Sequence, residues 1–363
     1  MRIDSGGYIE MDVRERYQWI DSLKGISILG VIMIHSGATG VGGIIGAVGK
    51  YGSSFVQAFL VISAFLAWKT LESSDSNGQW LMARMTKLAP VYYVAIVIYL
   101  IVTGGSTYDS GDINPKSFFN VICHFLFLHG FFPKTCNNLM GEWYLGVLVI
   151  FYFLAPIIHR FVNSLLRAAL FFAILNIGCN YICRFFLNSY ADDPYAYIYQ
   201  NYFSSYGIWP QFPTMALGIV LYYIVLRIKS RPDTIQSRAI ALSYASLLLT
   251  LVVLKAYGYL PIGNPLIVTV PTLYGVAFSI YMIGQCYHPI ILFNNKAFKF
   301  VGMHSWEMYI FHPLYIYIYN HVFKAEHSVM AWLVKYFLIL TISILTSILI
   351  KTIMRSLNKP IKA

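Results

Sequence analysis

Ten apolar stretches, each close to the length of a membrane-spanning helix, constrain this chain more than any other feature. A helix needs roughly 20 apolar residues to cross a hydrocarbon core of about 30 Å. Hydrophobic residues make up 58% of the 363 residues and charged residues 11%, more apolar surface than a soluble fold of this length can bury. The sequence therefore predicts an all-α integral membrane protein, a bundle of about ten transmembrane helices. We place the helices at 20–41, 52–70, 88–104, 143–160, 167–187, 207–227, 238–256, 265–285, 304–321 and 330–353.

The distribution of positive charge predicts that both termini are cytosolic. With that orientation, the inner segments contain most of the 26 Lys and Arg residues, which is the asymmetry expected of a multispanning protein. These residues are scattered over short connections and form no single face, so the net charge of +11 does not indicate a nucleic-acid partner. We expect a multi-pass protein of the inner (plasma) membrane, in contact with membrane lipids. Residues 1–19 would be a cytosolic lead-in, 20–353 one transmembrane domain and 354–363 a basic cytosolic tail.

The predicted outer segments 105–142 and 188–206 are rich in Tyr, Asn, Ser and Asp. Such a composition suits a sugar-like ligand, and it also fits ordinary solvated loops. The apolar run at 118–132 is too short to cross comfortably, so we expect a half-helix lying against the outer membrane face. Glu142 would lie at the outer surface and could contact such a ligand. The five cysteines show no metal-ligand spacing, and we expect no metal.

The first apolar stretch contains an ionisable residue far from its charged end. Lys24 and His35 are eleven positions apart in "DSLKGISILGVIMIH", which is roughly 16 Å along a helix. If Lys24 lies at the cytosolic surface, His35 lies near the bilayer midplane. Ionisable residues at that depth usually face a bundle interior and mark a pathway or a reaction centre. The alternative is a neutral histidine hydrogen-bonded to a neighbouring helix.

A second basic cluster precedes the third stretch, in "ARMTKLAPVYY". Arg84 and Lys87 are one helical turn apart, and such a pair can bind phosphates. Together with Lys24, three cations could converge on one anionic ligand. Positive-inside anchoring of the helix would give the same residues.

Several stretches, in chain order, carry a family resemblance. "WIDSLKGISILGVIMIH", "FLVISAFLAWK", "ARMTKLAPVYY", "WYLGVLVIFYFLAP" and "VGMHSWEMYIFHPLYIY" resemble motifs of the membrane-bound acyltransferase-3 family. Members of this family transfer acyl groups, most often acetyl, to sugars of surface polysaccharides and related glycans, and ten helices is their usual count. The resemblance covers roughly residues 19–320, so 20–353 is expected to be an acyltransferase-3-like domain. Lys24 and Lys87 stand where the family more often has Arg, and Leu148 where many members have Glu.

The resemblance implies a donor site and a catalytic residue. Acyl-CoA, expected to be acetyl-CoA, would bind from the cytosol with its phosphates near Lys24, Arg84 and Lys87. His35 would be a general base for the acceptor hydroxyl or would briefly carry the acyl group itself. The acceptor would be a glycan or a lipid-linked sugar.

Five further residues match motif positions or are ionisable within predicted helices: Ser63, Trp143, Tyr152, Glu307 and His312. The first three could line the site or simply pack. His312 could belong to the site or make a structural hydrogen bond. As an intramembrane acid, Glu307 needs a partner, for which we expect Lys299 or His304.

These observations predict an O-acetyltransferase acting on a cell-envelope polysaccharide or its lipid-linked precursor. A transporter or flippase for a glycolipid or small solute is the alternative, although the sequence shows no two-half repeat of the kind secondary transporters often have. A polysaccharide polymerase or ligase would be expected to have a large acidic or Arg-rich outer loop. The longest outer segment, 105–142, has only Lys116 and Lys134 as cations, so this third class ranks last.

Overall fold

The computed structural model describes residues 17–103, 118–136, 142–229, 238–257, 270–323 and 328–357. These residues form helices and short connections, and no strand occurs among them. Most of the predicted lead-in, and residues 358–363 of the predicted tail, lie outside the described residues. In chain order the α-helices are α1 Gln18–His35, α2 Gly43–Gly49, α3 Phe55–Glu72, α4 Asn77–Val102, α5 Phe118–Phe125, α6 Trp143–Phe161, α7 Leu165–Ser189, α8 Ala196–Asn201, α9 Ile208–Lys229, α10 Ala239–Tyr257, α11 Val270–Tyr287, α12 Lys296–Met303, α13 Ser305–Val322 and α14 Val329–Leu357.

Within the described residues, the long helices coincide in position with the ten predicted stretches. Six helical segments are long and apolar enough to cross a membrane: Gly43–Glu72, Asn77–Val102, Trp143–Phe161, Leu165–Ser189, Ala196–Lys229 and Val329–Ser356. The other long helices, α1, α10, α11 and α13, are shorter or more polar. The all-α membrane class is thus confirmed, and ten crossings with cytosolic termini stay a prediction.

Burial separates central helices from peripheral ones. The apolar part of the Gly43–Glu72 segment is 78% buried, and α3 packs against α1, α6, α9 and α11. In α7 and α14 the corresponding figure is 17%. The exposed apolar side chains of α7 recur every three or four residues and form a stripe that suits contact with lipid: Leu166, Leu170, Ile174, Ile177, Tyr181 and Phe185.

The first helix is shorter than predicted, because α1 ends at His35 and not at 41. The chain leaves the helix through Gly37 at φ 97°, and α2 follows Gly42 at φ 79°. Glycine adopts these left-handed conformations at little cost, whereas other residues are strained there. The predicted continuation is therefore wrong, and His35 is the last residue of its helix.

The third long helix begins earlier than predicted, since α4 starts at Asn77 and not at 88. The side chain of Ser76 caps it by accepting a hydrogen bond from the backbone N–H of Gln79. Hydropathy alone missed the first turns because they are polar. As a result, Arg84 and Lys87 lie within α4, which continues through Pro90.

Between α4 and α6, the apolar run at 118–132 contains no spanning helix. It forms the eight-residue α5, followed by a short 3₁₀ turn over His129–Phe131. The prediction of a short helix is confirmed.

Candidate active site

The centre of the candidate site is a pair of histidines from two helices. His35, at the end of α1, has its Nδ1 atom 2.8 Å from Nε2 of His312, which lies in the middle of α13. The ring planes are nearly parallel, at 11°, with centroids 5.1 Å apart. His312 is 1% exposed, and His35 is half-buried. The structure thus brings together two histidines that the sequence separates by 277 residues.

The backbone of α13 determines where the hydrogens of this pair lie. Nδ1 of His312 is 3.1 Å from the carbonyl oxygen of Met308 and 2.9 Å from that of Tyr309. Carbonyl oxygens only accept hydrogen bonds, so this nitrogen carries the hydrogen. With both rings neutral, Nε2 of His312 then accepts from Nδ1 of His35. The lone pair of His35 is consequently on Nε2, the nitrogen able to take a proton or attack an acyl carbon.

A cavity of about 590 Å³ is lined by α1, α3, α4, α6, α12, α13 and α14. Neither His35 nor His312 is among its lining residues. This volume is in the usual range for small-molecule sites. Its polar end is lined by Lys24, Arg84, Lys351 and Arg355, with Asp21 as the acidic residue among the lining side chains. At the other end are Ser63, Tyr144 and Tyr309. The Tyr309 ring centroid is 6.0 Å from that of His312, so this residue contacts both cavity and histidine pair.

Two of the three cations predicted to bind phosphate line this cavity. Lys24 is 3.9 Å from Asp21, and the Arg84 guanidinium donates to the carbonyl of Leu66 and the hydroxyl of Thr70. Arg84 is thereby held against α3. Lys87, one turn further along α4, is exposed and is not among the lining residues.

The buried acid Glu307 has a different partner from those predicted. Its Oε2 atom is 3.4 Å from Nζ of Lys351 and accepts from the hydroxyl of Ser347 at 2.9 Å. Lys299 instead donates to Gln18. His304 reaches Glu307 only through Ser347, whose hydroxyl is 2.8 Å from its Nδ1. The expected pairing was therefore wrong, because α14 supplies the cation.

His304 also lines the cavity, close to two of its cations. Its position between α12 and α13 is partly buried, and Lys351 and Arg355 are nearby. Burial first, and then these two cations, lower the pKa of its imidazole below the ordinary value.

Of the predicted motif residues of α3 and α6, Ser63 and Tyr152 line the cavity and Trp143 does not. The Ser63 hydroxyl is 3.0 Å from that of Tyr144, and both line the cavity. Tyr152 also lines it, and its ring lies 5.5 Å from the Arg84 guanidinium carbon. Trp143 is buried against Tyr206, with ring centroids 5.5 Å apart, and does not line the cavity.

A separate buried cluster joins α5 to the start of α6. His124 has Nδ1 2.7 Å from the carbonyl of Asn120 and Nε2 3.1 Å from the Glu142 carboxylate. Burial favours the neutral acid, but the hydrogen bond and charge of His124 prevail and hold the pKa of Glu142 below its ordinary value. Both ring nitrogens of His124 thus face oxygen acceptors. Glu142 is 3% exposed, so it is buried within the protein, and its position on the outer side of the membrane stays a prediction.

Sequence reasoning missed Tyr144, Tyr309, Lys351 and Arg355 as lining residues. The tyrosines lie among many aromatic residues of apolar helices. The two cations near the end of the last helix read as membrane anchors. Their convergence depends on how the helices pack, which no local pattern reports.

The chain matches the family model of the acyltransferase-3 family, described as an acyltransferase domain, over residues 17–352. This match covers most of the sequence, so the chain belongs to that family of acyltransferases. The resemblance seen in the motifs is confirmed. No curated protein and no solved structure gives a significant match to the chain.

Proposed function

We propose that this protein is an O-acetyltransferase of the inner (plasma) membrane. It takes an acetyl group from acetyl-CoA on the cytosolic side and delivers it to a hydroxyl of a cell-envelope polysaccharide or of its lipid-linked precursor. The hydrogen-bonded pair of His35 and His312 is the observation that carries the proposal, because it orients the His35 imidazole by anchoring it to a buried one.

In the proposed reaction, Nε2 of His35 is the general base. It takes the proton of the acceptor hydroxyl as the hydroxyl oxygen bonds to the acyl carbon, and the carbon–sulfur bond of the thioester breaks. The proton then passes to the leaving thiolate, which departs as the thiol of CoA. During the reaction the His35 ring is briefly a cation, and its Nδ1–H bond to His312 stabilises that charge.

The cavity supports the choice of donor. Phosphates bind best where several cations meet, and Lys24, Arg84 and Lys351 line one end. The other end, at Tyr144 and Tyr309, is largely aromatic and suits an uncharged thioester arm. A cavity with one cationic and one apolar end fits a ligand in which phosphates and a reactive acyl group are joined by a long neutral chain.

The proposal is tested with purified protein in nanodiscs supplied with acetyl-CoA and the host's surface glycan. Release of free thiol and proton NMR of base-labile O-acetyl groups are followed together. We expect His35→Ala to lower the rate by about 10²- to 10⁴-fold, the usual contribution of a general base. His321→Ala is the matched control, because His321 is an exposed histidine of the same helix as His312. It should keep the wild-type rate.

Two results would count against the proposal. Full activity of His35→Ala would remove this residue from the chemistry. Wild-type protein that consumes no acetyl-CoA in the presence of the glycan would contradict the acetyltransferase function. Transport of a glycolipid or small solute would then be measured after reconstitution into liposomes.

A further inference from the structure

The last helix supplies two cations to the cavity that no sequence motif singled out. Lys351 and Arg355 are four residues apart on α14, so they lie on the same face of the helix, and both line the cavity. Residue 355 also lies beyond residue 352, where the family match ends. The structure, and not the family match, therefore places Arg355 at the cavity.

The cations of the cavity differ in how far they are already paired. Lys351 is 3.4 Å from Glu307 and donates to the carbonyl of Met303. Arg84 is bonded to Leu66 and Thr70. Arg355 is exposed and makes no hydrogen bond or ion pair with another residue in the part of the chain that the structure describes. It is a cation at the cavity whose charge the described protein does not neutralise.

The position of Arg355 along α14 indicates which part of the donor it meets. It lies about 6 Å closer to the end of the helix than Lys351, and hence further out of the cavity. In acyl-CoA, the charged groups follow a fixed covalent order from the thioester: first the diphosphate, then the 3′-phosphate of the ribose. With the thioester at Tyr309, the diphosphate faces the deeper cations and the 3′-phosphate faces the mouth.

We propose that Arg355 binds the 3′-phosphate of the acyl-CoA donor and gives the enzyme its preference for CoA over 3′-dephospho-CoA. This inference rests on the proposed function. The planar guanidinium group can bind a phosphate through two parallel hydrogen bonds, which suits a terminal phosphate better than a bridging one.

The experiment measures KM and kcat with acetyl-CoA and with 3′-dephospho-acetyl-CoA for wild type, Arg355→Gln and Arg160→Gln. For wild type, the dephospho donor should have a KM about threefold to tenfold higher, because one partly exposed charge pair is lost. Arg355→Gln should raise the KM for acetyl-CoA by the same factor and leave the KM for the dephospho donor unchanged. Its kcat should not change, since Arg355 is remote from the reacting atoms.

Arg160→Gln is the matched control, because Arg160 is an exposed arginine in the last turn of α6 and does not line the cavity. It removes the same charge from a predicted cytosolic helix end and should keep the wild-type ratio of the two KM values. Equal loss of preference in both variants would indicate a general effect of net charge and would overturn the assignment to Arg355.

Two failures can be told apart. If wild type consumes acetyl-CoA but does not distinguish the two donors, or if Arg355→Gln distinguishes them as wild type does, the role of Arg355 is wrong and the acetyltransferase stands. If wild type consumes neither donor, the proposed function fails and the role of Arg355 fails with it.

Discussion

The two ring nitrogens of His35 have different tasks in the proposed reaction, and one buried residue assigns them. His312 is itself oriented by two carbonyl groups of its own helix, so the order of donors and acceptors runs from the α13 backbone to His312 and then to His35. A neutral imidazole thus takes the place that a carboxylate has in many catalytic triads. The arrangement fixes the tautomer of His35 without placing a permanent charge in the bundle.

Substituting His312 tests this role. We expect His312→Ala to lower kcat by about 10- to 100-fold, because His35 loses the partner that fixes its tautomer and ring orientation. KM for acetyl-CoA should stay near the wild-type value, since His312 does not line the cavity. In His312→Gln the side-chain oxygen can still accept from His35, and part of kcat should return. Unchanged kcat in His312→Ala would show that the pair is only structural.

At this scale the sequence singled out individual residues but not the contacts between them. The spacing of Lys24 and His35 singled out both, and His312 was named as a second intramembrane imidazole. That the two histidines meet was not predictable, because their contact joins α1 to α13. Glu307 is a second example. The cation that pairs with it, Lys351, lies on α14 and not on the neighbouring segment of the chain.

Helices α1 and α12 approach each other closely beside the site. A Cβ atom added to Gly302 would lie 1.7 Å from the carbonyl oxygen of Asp21, and one added to Gly25 would lie 2.0 Å from that of Phe298. Both obstacles are backbone atoms, which cannot move aside as a flexible side chain can. These two glycines therefore allow the contact that places Lys24 beside the cavity.

Replacing Gly302 by alanine should separate these helices. We expect Gly302→Ala to lower the apparent melting temperature in detergent, with a destabilisation of about 1–3 kcal/mol from overpacking. Gly178→Ala is the control with the opposite expectation. A Cβ atom there would meet nothing within 4 Å, and alanine favours a helix over glycine by up to about 1 kcal/mol. A melting temperature of Gly302→Ala equal to or above that of wild type would contradict the close contact.

Hydropathy located the long helices because each apolar stretch must be helical in lipid to satisfy its backbone hydrogen bonds. Where the prediction failed, other local chemistry decided the boundary. Left-handed glycines end α1 early, and a serine cap starts α4 in a polar region. Neither signal changes the mean hydropathy of a long window, so both boundaries were misplaced.

At the scale of the whole molecule, the first and the last of the described helices both line the cavity. Lys24 lies near the start of α1 and Arg355 near the end of α14, yet both line the same cavity. These two ends therefore lie on the same side of the bundle, as an even number of crossings requires. The positive charge gathered there favours the cytosol as that side.

Single cysteines at the two ends of α14 test this orientation. Ser328 and Ser356 are both exposed and are 28 positions apart, about 42 Å along a helix, which exceeds the roughly 30 Å hydrocarbon core. A membrane-impermeant maleimide added to intact spheroplasts should label Ser328→Cys and should label Ser356→Cys only after permeabilisation. Wild type serves as the background, since its described cysteines are buried or half-buried. The reverse pattern would place the cationic end of the cavity outside, where cytosolic acetyl-CoA cannot reach it, and labelling of both variants from outside would show that α14 does not cross the membrane.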